Sequence, residues 1–327
     1  MRNDAVAPII AVMLILAAIV TLYSIWNAVY IPSMKESAEV EHLQDVETAF
    51  VHFSSDIDYA VSSHQDNLAF SEPVPLGGGD VVVNLIKSSG ALRVQNEPKP
   101  EYSLNLTDGT GTTVAFLNGT IVNISYEPVS NFWQDQGYTW QYGYINVTKN
   151  SGALSTPLGY YNMTDVENEI SRSGPLQTFA QSFVAVYATA NTTPLQNTSV
   201  TTNNRFSFTP LSGSCSSLDI WAVNITASPD HNFVSSNGFG TIRLTTSVNR
   251  TSYEGIRNIS LKSDNAIFGN PTLSSWNASF NALNSSCYNN IWYDPSSAGN
   301  DTQWNINQIS SPVTVNLHQV SVEISTY

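Results

Sequence analysis

From Ala5 to Ile31 the chain reads AVAPIIAVMLILAAIVTLYSIWNAVYI, apolar on every side, and no charged residue falls between Asp4 and Lys35. A helix of this kind belongs in a deep core or in lipid. At about 1.5 Å per residue, roughly 20 such residues cross the ~30 Å hydrocarbon layer, so the run is long enough to span it with some tilt. Trp26 and Tyr30 sit at its far end, where an interfacial aromatic belt would lie. A secretory signal has a basic start and an apolar core of about 7–15 residues. Here only Met-Arg-Asn-Asp precedes the run, which is about twice that length. The pattern predicts a retained anchor over 5–31, behind a short leader over 1–4.

Beyond Pro32 the apolar positions acquire a helical period. Val40, Leu43, Val46, Phe50, Phe53, Ile57 and Val61 are three or four apart and make one stripe. The other face carries Glu36, Glu39, Glu41, Asp45, Glu47, Asp56, Asp58 and Asp66 against Lys35 alone. An acidic amphipathic stem helix is predicted over 32–70, kinked from the anchor at Pro32, with its stripe sealing a globular head. His42, His52 and His64 are spaced too widely along it to share one helical face as metal ligands, and they are expected at the surface.

From residue 71 to 327 the pattern shortens to β-prone runs broken by Gly, Asn, Ser and Pro. Glu72 to Asp80, rich in Pro and Gly, reads as a linker. Strands are predicted at 81–86, 91–94, 102–106, 137–147, 179–190, 205–209, 219–227, 240–248 and 313–326. A hairpin is predicted about Asn118-Gly119, a pair that supplies the positive φ values of a two-residue turn. Short helices are predicted at 163–172 and 272–283. The fold class is therefore α+β: a long N-terminal helix, then a mainly antiparallel, sandwich-like head. A subdomain boundary is placed near 191–204.

The start Asn3-Asp4-Ala5-Val6-Ala7-Pro8-Ile9-Ile10-Ala11-Val12 resembles the amino-terminal segment of archaeal type IV pilins and pilin-like surface proteins. In that family a short polar leader meets an Ala-Val-Ser-Pro-like start and an aliphatic helix; Ala7 here stands for the Ser, and Ala11 for a Gly. The resemblance covers about the first sixty residues. It implies processing by a prepilin peptidase near Asp4 and Ala5, a cytoplasmic N-terminus and an extracellular head. It also implies partnership with the membrane, with other pilins through the N-terminal helix, and with an assembly machinery.

Composition agrees with an exported head. Charged residues are 12% of the chain, against about 25% in ordinary soluble domains. The chain has thirteen Asn-x-Ser/Thr sequons, at Asn105, Asn118, Asn123, Asn146, Asn162, Asn191, Asn197, Asn224, Asn249, Asn258, Asn277, Asn284 and Asn300. None lies in the stem, which fits a translocated, glycosylated head. Asn118 is expected at an exposed turn, and Asn224, inside a strand, is expected unused. Cys215 and Cys287, the two cysteines, make one bridge in an oxidising compartment or remain two buried thiols. A net charge of −14 without a basic cluster excludes nucleic-acid binding.

No catalytic motif, metal-ligand spacing or cofactor loop stands out, so no enzyme activity, metal or cofactor is expected. Tyr138, Trp140, Tyr142 and Tyr144 alternate along a predicted strand and share one face. Exposed, that face would stack on glycans or a partner protein; buried, it is core. Three functions remain: a structural subunit of an extracellular filament, a permanently anchored adhesin or envelope protein, and, less favoured, an anchored hydrolase.

Overall fold

The computed structural model describes residues 6–78, 88–129, 136–149, 156–157, 179, 182–190, 215–263, 292–298, 301–307 and 312–327. The chain is helical without a break from Val6 to Ser63, about 85 Å at 1.5 Å per residue. Its parts are α1 (Val6–Ile25), a π-helical turn at Trp26–Tyr30, and α2 (Ile31–Ser63). Pro8 falls in the first turn, where the backbone N–H has no helical partner in any case. The irregularity expected at Pro32 is thus met as a π-turn just before it. Pro32 itself sits in the first turn of the α2 geometry. α2 ends at Ser63, short of the expected 70, because His64 turns into the left-handed region at φ 52°.

Among the described residues fifteen strands follow: β1 (Ala69–Pro75), β2 (Ser89–Asn96), β3 (Tyr102–Asp108), β4 (Thr113–Gly119), β5 (Val122–Val129), β6 (Gln136–Gln141), β7 (Tyr144–Lys149), β8 (Thr156–Pro157), β9 (Val184–Ala190), β10 (Cys215–Ala227), β11 (Phe233–Ser236), β12 (Phe239–Ser263), β13 (Trp292–Ala298), β14 (Asp301–Asn307) and β15 (Val313–Thr326). One sheet runs β13-β14-β12-β15-β10-β9, with β1 and β3 also on β12 and β4 on β3. The other runs β11-β2-β5-β6-β7-β8. Among the described residues all strand pairs are antiparallel except β10 with β15. The α+β class is observed, as one long helix followed by mostly antiparallel sheets.

Three local readings are corrected. The linker expected at 72–80 begins as strand: β1 pairs with β12 from Ala69↔Thr245 to Pro75↔Phe239. Its prolines are tolerated because β1 has no second strand partner among the described residues, so their missing N–H costs no ladder bond. The hairpin expected at Asn118-Gly119 does not form, since β4 pairs with β3 and β5 joins the other sheet. Gly119 is required for space instead. A Cβ there would lie 1.9 Å from the Tyr102 ring. The two-residue turn occurs at Tyr142-Gly143, with φ of 53° and 81°, and divides the single strand expected over 137–147 into β6 and β7.

The long strand β12 is the spine of the first sheet. It pairs with β1 and β15 in its first part and with β3 and β14 in its last. Between them lies a bulge at Tyr253–Ile256 where Gly255 takes φ 75°. The β3–β4 leaf is then tied back to β10. The Tyr102 hydroxyl donates to the Val223 carbonyl at 2.6 Å, and Thr120 donates through N–H and Oγ1 to Asn224 Oδ1 at 2.8 and 2.7 Å. α2 touches strands of both sheets, and its buried side chains join theirs in one core.

Candidate membrane and assembly element

The helix divides by environment. From Ile10 to Tyr30 every residue is exposed, with Leu14, Leu16 and Leu22 between 62% and 67% accessible. The helix is long and apolar enough to cross a membrane. Three of its polar side chains are satisfied within it: Thr21 Oγ1 donates to the Ala17 carbonyl at 2.7 Å, Ser24 Oγ to Val20 at 2.8 Å and Asn27 Nδ2 to Tyr23 at 3.2 Å. Such back-bonding spares these groups an unpaired donor in lipid. Trp26 and Tyr30 stack at 5.1 Å across the π-turn, next to the end of the apolar run.

The second half is seated in the head. Leu43, Val46, Phe50, Phe53, Ile57 and Val61 of the expected stripe are buried, whereas Val40 is exposed. The stripe continues downward through His42, Glu39 and Lys35, all buried, spaced three and four apart like the apolar residues above. His42 therefore is no surface residue, as had been expected. Its Nε2 lies 3.0 Å from the Tyr126 hydroxyl, and Gly78 packs so close that a Cβ there would come within 2.3 Å of Nδ1. The signal was available in the spacing 35-39-42-46, but charge at those positions hid it. His52 is exposed as expected, 3.5 Å from Glu72. His64, where α2 ends, stacks on Trp221 at 4.7 Å. Trp221 stacks in turn on His318 at 4.1 Å, whose Nε2 lies 3.3 Å from Asp219 Oδ1.

The four alternating aromatics do not present a ligand face. Tyr138, Trp140 and Tyr142 are buried and Tyr144 is half-buried, across the turn on β7. Tyr138 and Trp140 form a socket for the stem. The Tyr138 hydroxyl donates to Glu47 at 3.2 Å, Trp140 Nε1 donates to Ser54 Oγ at 3.0 Å, and Phe50 packs 6.2 Å from the Tyr138 ring. Burial, then the Glu47 charge, pushes the Tyr138 hydroxyl up to about 12. Tyr142 donates to Glu101 at 2.9 Å. A period of two reads the same for an open and a covered face; only the stem on top of it decides.

Of the sequons within the described residues, Asn118 and Asn249 are exposed, while Asn105, Asn123, Asn146, Asn224 and Asn258 are half-buried. Asn118 lies at the end of strand β4, not in a turn. Asn162, Asn191, Asn197, Asn277, Asn284 and Asn300 lie outside the described residues, as do Asp4, Ala5, Cys287, the expected helices and the 191–204 boundary. Cys215 opens β10. Among the described residues no three His, Cys, Asp or Glu side chains gather as a metal site would require.

The chain matches no family model, no curated protein and no solved structure. Its class is accordingly the one its own geometry defines: an α+β head carried on a helix whose free half is apolar enough to enter a membrane.

Proposed function

We propose that this protein is an archaeal type IV pilin-like cell-surface glycoprotein, a structural subunit of an extracellular filament assembled through its N-terminal helix. One observation carries the reading. A single unbroken helix is apolar on all sides and exposed in its first half, and is fixed by one stripe inside the head in its second. Such a subunit moves from bilayer to helical bundle without refolding, because both surroundings accept the same apolar surface. The Ala5-Val6-Ala7-Pro8 start supports the same reading, with peptidase cleavage proposed near Asp4 and Ala5.

Amino-terminal sequencing of the protein from sheared surface material is the test. A filament subunit yields chains beginning near Ala5. Recovery only as detergent-soluble monomer with Met1 intact would sink the filament reading. It would favour the second one, a permanently anchored envelope protein or adhesin. The self-satisfied Thr21, Ser24 and Asn27 support that alternative, since they let α1 rest in lipid without a partner helix.

A further inference from the structure

We propose that Asn249 accepts N-linked sugar, and that the sequon at Asn224 stays bare because its amide is a structural joint. The assignment rests on the reading of the head as extracellular. Transfer to a sequon needs two groups presented together: the Asn amide nitrogen and the hydroxyl two residues on. In a strand, residues i and i+2 project to the same side, about 7 Å apart. On β12, Ser247, Asn249 and Thr251 are consecutive outward positions, and all three are exposed. β15 flanks this stretch on one side, with Asn249 opposite Gln319. Along the other edge β1 ends opposite Thr245, Asp66 takes the Val248 N–H at 2.9 Å, and β3 begins only opposite Ile256. Among the described residues no strand covers that edge from Asn249 to Thr251.

The remaining sequons within the described residues lack this combination. Asn224 Oδ1 accepts both the N–H and the hydroxyl of Thr120, closing the β3–β4 leaf onto β10. Thr120 is also the hydroxyl residue of the Asn118 sequon. The two sequons are therefore interlocked: Asn118 is exposed, but in the folded head its Thr120 hydroxyl is committed to Asn224. Asn105 and Asn258 are half-buried with their amide oxygens enclosed and without a partner. Asn123 and Asn146 are half-buried.

The donor this requires is a lipid-phosphate-linked sugar. The Asn249 amide nitrogen attacks the anomeric carbon, the carbon–nitrogen bond forms, and the bond from that carbon to the phosphate oxygen breaks. The lipid phosphate leaves with the electron pair, and the amide proton passes to a base of the transferase.

Peptide mapping by mass spectrometry of the full chain, taken from the membranes of its own cells, tests the assignment. The Asn249 peptide carries a sugar mass that is lost in Asn249→Gln and in Thr251→Ala but kept in Thr251→Ser. The Asn224 peptide has its bare mass. Sugar on Asn224, or a bare Asn249 in a chain modified elsewhere, overturns the assignment while leaving the glycoprotein reading intact. A chain bare at every sequon overturns that reading and the assignment with it.

Discussion

α1 and α2 are two halves of one helix with opposite relations to the chain around them. Leu16 is 62% exposed and touches no core, while Phe53, on the same helix, is 2% exposed in the middle of one. The first half is apolar on every face and finds no covering surface among the described residues. The second keeps a single apolar stripe, and the head is built to match it. Hydrophobicity alone does not say what a helix packs against; its distribution around the axis does.

The comparison can be broken most sharply by truncating one side chain in each half. Phe53→Ala should destabilise the head by about 3–5 kcal/mol, the usual cost of removing a buried Phe. Leu16→Ala should leave head stability within about 0.5 kcal/mol, as surface changes do. Denaturant melts in detergent read both, and equal effects would end the distinction. The converse substitution comes next. Leu16→Lys should cost about 2.5–3.5 kcal/mol in membrane insertion, read as the membrane-to-soluble ratio, with the melt of the head unchanged.

Two variants sharpen what holds the head around the stem. Gly119→Ala drives a methyl into the Tyr102 ring and should cost about 1–3 kcal/mol by overpacking. If its melt matched the parent, the close approach would not be what selects glycine there. Trp140→Phe keeps the ring in the socket and loses the bond to Ser54, for about 0.5–1.5 kcal/mol. A double-mutant cycle with Ser54→Ala should show that this loss is shared.

The smallest effect is expected far from the stem, in the β3–β4 turn. Asp108 accepts from the Thr110 hydroxyl and from the backbone N–H groups of Thr110 and Thr112, which holds its carboxyl below the ordinary range. A depressed acid contributes stability above its unfolded-state value, near about 3.9, and loses it as pH falls through the lower folded one. Asp108→Asn should flatten that acid-side slope slightly in melts taken through this range. An unchanged slope would show that the turn holds no preference for the charged form.

The sequence disclosed the long periods and hid the contacts between distant segments. The apolar run and the stripe from Leu43 to Val61 were legible because a helix writes its surroundings into local spacing. The closing strand Val313–Thr326 was legible through its alternation. β1 was not, because Pro73 and Pro75 look like linker until β12 lies beside them. The Asn118-Gly119 pair carried a hairpin signal, yet its glycine answers to a tyrosine ring seventeen residues away in sequence. The buried run Lys35, Glu39 and His42 was concealed by its polarity, and the aromatic socket by the ambiguity of a two-residue period. The acceptor proposed at Asn249 could not be separated from the other sequons until burial and the Thr120 joint distinguished them.

The place of β15 has a consequence for the order of events in synthesis. It lies between β10 and β12, hydrogen-bonded along nearly its whole length to both, and it is made after either. While the ribosome is still delivering the chain, α1 is already out and the sheet lacks its middle. The sheet therefore stays open along its middle until β15 arrives to join β10 to β12.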